Sequence, residues 1–198
     1  MFLIKSPQRA AFDPILVRDP VVLRAARLSD YAQWASLRAL SRTHLTRWEE
    51  DWSPQELTPT VFKRRVRTFH RAMRRGSSLP LLAFRDGDDV LLGGATLSGI
   101  RYGAARSAQL GYWIGAPYTR CGYGAAAVRA IVDHGFRALE LNRVQAACQP
   151  SNEASKNLLR KLGFQEEGLA RGYLRINGAW RDHLIFAITA EDHRLWDE

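Results

Sequence analysis

The stretch that decides the fold is GYWIGAPYTRCGYGAAAVRAIVDHGF, residues 111–136. It begins with an aromatic and β-branched run typical of a strand and ends with an alanine-rich run typical of a helix. Between the runs stand Gly122 and Gly124, with no acidic residue nearby. Glycine permits positive φ angles and close approach of the main chain, and the N–H groups of such a turn bind anions at a helix start. The pattern predicts a diphosphate-binding loop.

Two common nucleotide-binding loops do not fit this stretch. A P-loop needs Gly-Lys-Ser/Thr after the glycines, whereas Ala125 and Ala126 follow here. A dinucleotide-binding fingerprint needs a third glycine and alternating parallel strand–helix units. A glycine turn required only for tight packing remains an alternative when the motif is taken alone.

Outward from the loop, periodicity and turn signals organise the chain. We predict strands at about 21–26, 80–85, 91–100, 108–114, 143–148, 165–176 and 180–189, and helices at about 30–41, 58–76, 123–139 and 152–162. Asp30, Thr58 and Asn152 are the predicted N-caps, and Asn177-Gly178 predicts a hairpin turn. Hairpins imply antiparallel pairing, and the strand–helix–strand unit around the loop implies one parallel pair.

The predicted fold class is therefore α+β, with a mixed, mostly antiparallel twisted sheet of about seven strands flanked by about four helices. Residues 1–20 are expected to be a lead-in segment, and residues 21–198 a single domain.

Composition narrows the partners without choosing one. The 198 residues carry a formal net charge of +9, which favours nucleic acid, the ribosome, a phosphate-bearing cofactor or another anionic surface. No apolar run approaches the ~20 residues that span a bilayer, and no secretory signal is evident, so the cytoplasm is the expected compartment. Cys121 and Cys148 stand outside any CxxC or histidine cluster, which predicts neither a metal site nor a disulfide.

Several motifs in order carry a resemblance. The glycine loop is followed by SNEAS (151–155), KLGF (161–164) and AWRDH (179–183), and RTHLTRWEEDW (42–52) precedes it. Together they resemble the GNAT acyl-CoA N-acyltransferases, and within them the RimJ-like ribosomal-protein-alanine N-acetyltransferase branch. The resemblance covers nearly everything from Val21 onward. It implies the GNAT fold, a splayed parallel strand pair, acetyl-CoA as cosubstrate and no metal.

The resemblance also implies roles for individual residues. An N–H near Ile114 would polarise the thioester, Asn152 would bond the pantetheine amides, and Ser155 would donate a hydrogen bond to the departing thiolate. The chain departs from the family pattern in three places: Thr119 stands where Gln or Arg is usual, Ala125-Ala126 stand where Thr-Glu is frequent, and Leu159 replaces a common tyrosine acid. The implied cofactor-binding residues are Trp113, Ile114, Thr119, Arg120, Cys121, Gly122, Tyr123, Gly124, Ala125, Asn152, Ser155 and Arg160.

The acceptor side is less specific. An α-amino group has a pKa of about 7.7–8.0, so only a weak base or water is needed to deprotonate it. The candidate bases are Glu49, Glu50, Glu167 and Asp182. Glu49 and Glu50, in a segment expected to line the substrate mouth, are taken with Ser155 as the candidate catalytic residues, although a surface carboxylate is the commoner fate of such residues. Trp48, Trp52 and Asp182 are the candidate substrate-binding residues.

The predicted function is direct transfer of acetyl from acetyl-CoA to the N-terminal alanine of a ribosomal protein, in a ternary complex. The alternatives are acetylation of a small amine such as an antibiotic or polyamine, a non-catalytic CoA- or ribosome-binding module, and a protein that binds only nucleic acid. The basic helix over residues 63–75 is either a solvated face or a contact to the ribosome or its RNA. A monomer or a homodimer is expected.

Overall fold

A computed structural model describes residues 9–194 and Trp196, and within them one eight-stranded sheet carries six α-helices. The strands are β1 (Leu16–Arg18), β2 (Val21–Ala25), β3 (Leu79–Arg85), β4 (Leu91–Arg101), β5 (Ser107–Ile114), β6 (Arg143–Cys148), β7 (Gln165–Ile176) and β8 (Ala179–Thr189). The helices are α1 (Tyr31–Leu40), α2 (Arg42–Leu45), α3 (Pro59–Arg74), α4 (Tyr123–Arg137), α5 (Glu153–Lys161) and α6 (Ala190–Arg194). None of these helices combines the length and apolar character that a membrane crossing requires.

The strand order is β1-β2-β3-β4-β5-β6-β8-β7, and every neighbouring pair is antiparallel except β5–β6. The predicted mixed, mostly antiparallel α+β sheet is thus confirmed. It has one strand more than expected, because Leu16–Arg18 pairs with β2 inside the segment taken as a lead-in. This three-residue strand is too short for a periodic signal, as are the short helices α2 and α6.

The sheet has a helix layer on each face. Helices α4 and α5 cover one face, where Ile131 and Leu159 are fully buried. Helices α1 and α3 cover the other face, where Trp34, Phe62 and Val66 pack against buried strand residues. Alternate residues of a central strand pack against the helix layers on opposite faces of the sheet. This is why β3 is buried along nearly its whole length.

Helix starts follow the predicted caps with one exception. The Thr58 hydroxyl accepts a hydrogen bond from the N–H of Val61, and the Asn152 carbonyl oxygen accepts one from the N–H of Ser155. Asp30 occupies the predicted N-cap position of α1, but its side chain makes no capping hydrogen bond to that helix. Its carboxylate accepts from the N–H of Arg27 at 2.7 Å and pairs with the buried Arg24 guanidinium at 2.9 Å. A buried cation outcompetes the helix N–H groups for that carboxylate.

The parallel pair β5–β6 separates at one end, as predicted. Their register runs from Ser107 opposite Arg143 to Leu110 opposite Ala146 and stops there. Strand β5 continues to Ile114 on its β4 side, and β6 continues to Cys148 on its β8 side. The last residues of both strands therefore face an opening instead of each other.

Candidate functional site

Main-chain N–H groups of β5 point into this opening. Gly115 donates its N–H to the carbonyl of Leu92 at 2.8 Å, which makes these two a hydrogen-bonded antiparallel pair. Such pairs alternate along an antiparallel ladder, so Ile114 and Tyr112 direct their N–H and C=O groups away from β4. Both groups therefore face the opening left by β6.

The glycine loop lies directly beyond β5 and presents a second set of N–H groups. Arg120 and Gly122 have φ angles of +63° and +83°, so left-handed residues alternate with Cys121 before α4 begins. The first hydrogen bond of α4 is donated by Ala126 to Gly122. Within the described residues, the N–H groups of residues 120–125 donate to no acceptor, and the first turn of α4 has no acidic side chain. Six consecutive N–H groups at a helix N-terminus are suited to binding an anion, and we call residues 120–125 the nest.

The two glycines of this loop serve different needs. A Cβ on Gly122 would meet nothing within 4 Å, so its positive φ is what favours glycine there. A Cβ on Gly124 would lie 3.1 Å from Leu158 and 3.4 Å from Ile114, so Gly124 lets α4 approach α5 and the end of β5. Thr119 turns its hydroxyl onto the carbonyl of Ala116 at 3.0 Å, away from the nest.

Three side chains meet where the strands separate. Ser155, in the first turn of α5, has its Oγ 2.7 Å from the hydroxyl of Tyr112 on β5. Tyr112 lies two residues beyond the last β5 residue paired with β6, and Cys148 lies two residues beyond the corresponding β6 residue. Asn152 fixes this turn of α5 through its carbonyl oxygen, and its side-chain nitrogen donates to nothing in the described chain.

Burial keeps two of these groups protonated. Burial raises the pKa of Tyr112 to about 12, although its hydrogen bond with Ser155 acts in the opposite direction. Burial also raises the pKa of the Cys148 thiol, while the neighbouring Ser155 hydroxyl lowers it. The Tyr112 side chain is therefore an un-ionised phenol, able to donate a hydrogen bond, throughout the physiological pH range.

On the other face of the sheet, Arg38 of α1 holds the segment of residues 46–52, which we call the mouth segment. Both terminal nitrogens of Arg38 donate to the carboxylate of Glu49, at 3.1 and 2.6 Å, and the indole N–H of Trp52 donates to the same carboxylate at 2.9 Å. The Arg38 side chain is 7% exposed and that of Glu49 28%. Both Glu49 oxygens are therefore already engaged.

Aromatic rings enclose the same guanidinium. Its central carbon lies 4.2 Å from the ring centroid of Trp52 and 5.2 Å from that of Trp113 on β5. The mouth segment also touches neighbouring loops, because Asn177 donates its N–H to the carbonyl of Glu49 and Gln149 donates to the carbonyl of Arg47. Arg38 thus connects the mouth segment to the strand that borders the opening.

Other predicted site residues have different surroundings. Arg160 pairs with Glu166 at 2.7 Å on the protein surface. Asp182 accepts a hydrogen bond from the N–H of Gly172 at 2.7 Å, at a register shift between β7 and β8. Glu50 is exposed and forms no hydrogen bond or ion pair with the described chain, and Trp48 is half-buried. Their proposed roles stay predictions.

Sequence reasoning missed three residues that build the site. Tyr112 shares a strand face with Ile114, a period-two relation that was available in the sequence. Arg38 and Ser41 gave no such signal. Ser41 is fully buried and its hydroxyl accepts a hydrogen bond from the N–H of Ala116 at 2.9 Å, which fixes the chain just before the glycine loop.

Comparison with known proteins agrees with this geometry. The Acetyltransferase (GNAT) domain family matches residues 21–165. The ribosomal protein uS5-alanine N-acetyltransferase of Escherichia coli (strain K12) is 30% identical over 177 residues, which are 89% of this chain and 91% of that enzyme.

Solved structures give the same result. Mycobacterium smegmatis RimJ in complex with CoA-disulfide has a TM-score of 0.87 at 35% sequence identity, over 98% of this chain and 97% of that chain. The ribosomal-protein-S5-alanine acetyltransferase of Vibrio fischeri has a TM-score of 0.83 at 29% identity, over 91% of this chain and 98% of that chain.

Proposed function

This chain belongs to the GNAT acetyltransferase family, and we propose that it transfers acetyl from acetyl-CoA to the N-terminal amine of a protein, with the N-terminal alanine of a ribosomal protein as the first candidate. The observation that carries the proposal is the presence of main-chain N–H groups that donate to no acceptor within the described residues. These groups form two sets: those of Tyr112 and Ile114 in the opening, and those of residues 120–125 at the start of α4.

The residues present fit an acyl-CoA. A diphosphate matches the nest of residues 120–125, because six N–H donors and a helix N-terminus favour negative charge and no carboxylate in the first turn opposes it. An extended pantetheine arm matches the opening, where β5 offers main-chain donors and acceptors along an unpaired edge. Asn152 has a free side-chain nitrogen for an amide carbonyl of that arm.

The chain's own groups are suited to acetyl transfer. Acetyl-CoA supplies a thioester whose C–S bond breaks, leaving its electron pair on sulfur, while an amine nitrogen forms the new C–N bond and loses one proton. The N–H of Ile114 would stabilise the developing oxyanion of the acetyl carbonyl. Ser155 would donate a hydrogen bond to the sulfur.

Removal of the amine proton needs little from the protein. Because an α-amine has a pKa of about 7.7–8.0, a substantial fraction is already neutral near pH 7.5. Between the two predicted bases, the surroundings favour Glu50, which is exposed and unpaired in the described chain, over Glu49, whose oxygens are held by Arg38 and Trp52. Water carrying the proton to solvent would serve equally.

The acceptor assignment is supported by relatives at 29–30% identity. The Escherichia coli and Vibrio fischeri proteins are named for acetylation of the alanine of ribosomal protein S5. We propose the same class of acceptor here, in the cytoplasm where ribosomes are assembled. The aromatic residues Trp48 and Trp52 of the mouth segment would flank the first residues of the acceptor.

A panel of acceptors tests the proposal. Purified protein is incubated with acetyl-CoA and peptides that begin with alanine, serine or a pre-acetylated alanine, and with spermidine and an aminoglycoside. We expect acetylation of the alanine α-amine, identified by mass spectrometry, and none of the blocked peptide. If only the small amines are acetylated, the acceptor is a small amine and not a protein. Absence of CoA binding would overturn the enzyme assignment.

The exposed face of α3 supports a further part of the proposal, contact with ribosomal RNA. Residues 59–75 contain no acidic residue, and the exposed cations form no ion pair within the described residues. Their spacing confines them to one side of the helix, because the opposite side packs on the sheet. The exposed cations are Lys63, Arg64, Arg67, Arg71, Arg74 and Arg75.

Paired variants test this contact. Arg67→Gln/Arg71→Gln removes two charges from the face, and Arg101→Gln/Arg194→Gln removes two exposed charges elsewhere. We expect the first pair to weaken binding to ribosomal RNA and to flatten its salt dependence by nearly two in slope, and the second pair to do less. Equal effects, or binding to an acidic protein but not to RNA, would contradict an RNA contact.

A further inference from the structure

The hydroxyl groups of Tyr112 and Ser155 form a hydrogen-bonded pair that joins β5 to α5 beside the opening between β5 and β6. The two hydroxyl oxygens are 2.7 Å apart. Tyr112 lies two residues beyond Leu110, the last residue of β5 that pairs with β6. Tyr112 comes from the strand and Ser155 from the helix beyond it, so the contact joins two elements that are 43 residues apart in sequence. Within the described residues, no other side chain–side chain hydrogen bond joins β5 to α5.

The direction of this hydrogen bond follows from the chemistry of the two groups. A phenol is far more acidic than an aliphatic hydroxyl and is therefore the better donor. Burial keeps the Tyr112 hydroxyl protonated, because it raises the pKa to about 12. When Tyr112 donates to Ser155 Oγ, the hydrogen of Ser155 must point elsewhere. The N–H of Ser155 is already bound to Asn152, which keeps this turn of the helix in place.

Little in the described protein competes for the Ser155 hydrogen. The neighbouring Cys148 is buried and its pKa is raised, so it presents a neutral thiol, which is a weak acceptor. A hydroxyl that is polarised by a donor on one side becomes a better donor on its other side, because hydrogen bonds in a chain strengthen each other. Negative charge that develops in the opening would receive that hydrogen bond.

We propose that Tyr112 is a positioning residue for acetyl transfer: it donates a hydrogen bond to Ser155 Oγ and so directs the Ser155 hydroxyl hydrogen toward the sulfur that leaves the acetyl group. The inference rests on the proposed function and deepens it. No covalent bond of Tyr112 or Ser155 is broken. Both side chains remain neutral, and the proton that finally neutralises the sulfur comes from the amine through solvent.

A titration of bound CoA tests this assignment without turnover. The thiolate of CoA in its binary complex is followed by ultraviolet absorbance against pH, and the same titration with desulfo-CoA is subtracted to remove Cys121 and Cys148. We expect Ser155→Ala to raise the pKa of the bound thiol by about one unit, since a hydrogen bond to a charged group is lost. Tyr112→Phe raises it in the same direction, and the double variant raises it no further than Ser155→Ala alone.

The control is Tyr102→Phe. The Tyr102 hydroxyl is also buried but has no hydrogen-bond partner in the described chain, so its removal should leave the thiol pKa unchanged. Ser155→Thr, which keeps a hydroxyl, should restore most of the shift. In turnover, Tyr112→Phe should lower kcat several-fold and leave the KM for acetyl-CoA within about twofold, whereas a packing role would change KM and the melting temperature.

The outcomes separate the two proposals. If Ser155→Ala raises the thiol pKa and Tyr112→Phe does not, the role of Tyr112 is overturned while the acetyltransferase assignment stands. If the two single variants add in the double variant, the residues act independently and the inference also fails. If CoA does not bind the folded wild-type protein, the proposed function itself is lost.

Discussion

The two sides of the opening between β5 and β6 are built differently. One side presents main-chain N–H groups, whereas on the other side the mouth segment is held by side chains. The nest of residues 120–125 depends on its backbone angles and on the start of α4. Its hydrogen-bond donors are main-chain N–H groups and not side chains. The mouth segment depends on a buried guanidinium, a carboxylate and indole rings. The nest should therefore tolerate many side-chain substitutions but few changes of backbone angle. The mouth segment should be sensitive to substitution of the side chains that hold it.

This difference explains the departures from the family pattern at the loop. Thr119 and Ala125 replace residues that are more usual there, and both leave the N–H groups in place, because any residue other than proline supplies one. It also explains why Glu49 and Arg38 must be considered together. Removal of one leaves the other partly buried without its partner.

The largest effect should come from filling the contact between α4 and α5. Gly124→Trp places an indole where even a Cβ lies 3.1 Å from Leu158, which displaces α4 from the end of β5. Overpacking costs about 1–3 kcal/mol, so the KM for acetyl-CoA should rise roughly ten- to hundredfold. Steady-state kinetics with saturating peptide measures it.

Ala138→Trp is the control, since it adds the same side chain at an exposed position just beyond the other end of α4. It should leave the KM for acetyl-CoA unchanged. An unchanged KM in Gly124→Trp as well would remove the glycine loop from cofactor binding.

A smaller effect, confined to the acceptor side, is expected for Arg38→Met. The Glu49 carboxylate loses two hydrogen bonds and the mouth segment loses its anchor. Because Glu49 is partly exposed, we expect a loss of about 1–2 kcal/mol in the free energy of unfolding, less than for a fully buried pair. The KM for the peptide should rise about tenfold, while the KM for acetyl-CoA changes little.

Arg106→Met provides the comparison, because the ion pair of Arg106 with Glu140 lies at the surface and should contribute little. Arg38→Met/Glu49→Leu should recover part of the stability, as both charges are then absent. An equal rise in both KM values would mean that the two sides of the opening are not independent.

Backbone strain at the loop gives a more modest effect. Gly122→Ala and Gly87→Ala each place alanine at a positive φ, +83° and +93°, with open space around the new Cβ. Each should cost about 1 kcal/mol of stability. Only Gly122→Ala should also raise the KM for acetyl-CoA, by several-fold, because relief of the strain would turn N–H groups of the nest. Identical kinetics in the two variants would count against a nest that depends on left-handed geometry.

The smallest effect is expected for Arg160→Gln. Arg160 pairs with Glu166 at the surface, and exposed pairs contribute about 0–1 kcal/mol. We expect less than a threefold change in the KM for acetyl-CoA. A tenfold rise with acetyl-CoA, absent with its 3′-dephospho form, would show instead that Arg160 binds the adenosine phosphate.

The loop was predictable because its requirements are local. Gly122 indicates a positive φ, and the residues on either side indicate a strand and a helix. The nest can therefore be predicted from a few consecutive residues. The same holds for the caps of α3 and α5 and for the hairpin turn between β7 and β8. Asp30 marks the limit: it stands at the N-cap of α1 as predicted, but its carboxylate binds Arg24 instead of the helix N–H groups, a contact set by the sheet.

The sequence by itself determined the order of the elements, the mixed sheet, the family and the glycine loop, because periodicity, capping and turn chemistry act over a few residues. Only the tertiary structure decided three contacts. Tyr112 forms a hydrogen bond with Ser155, Arg38 pairs with the Glu49 carboxylate, and the Ser41 hydroxyl accepts a hydrogen bond from the N–H of Ala116. These contacts join residues that are 11 to 75 positions apart. Their partners are chosen by how the strands separate and how the helices pack, which no local pattern records.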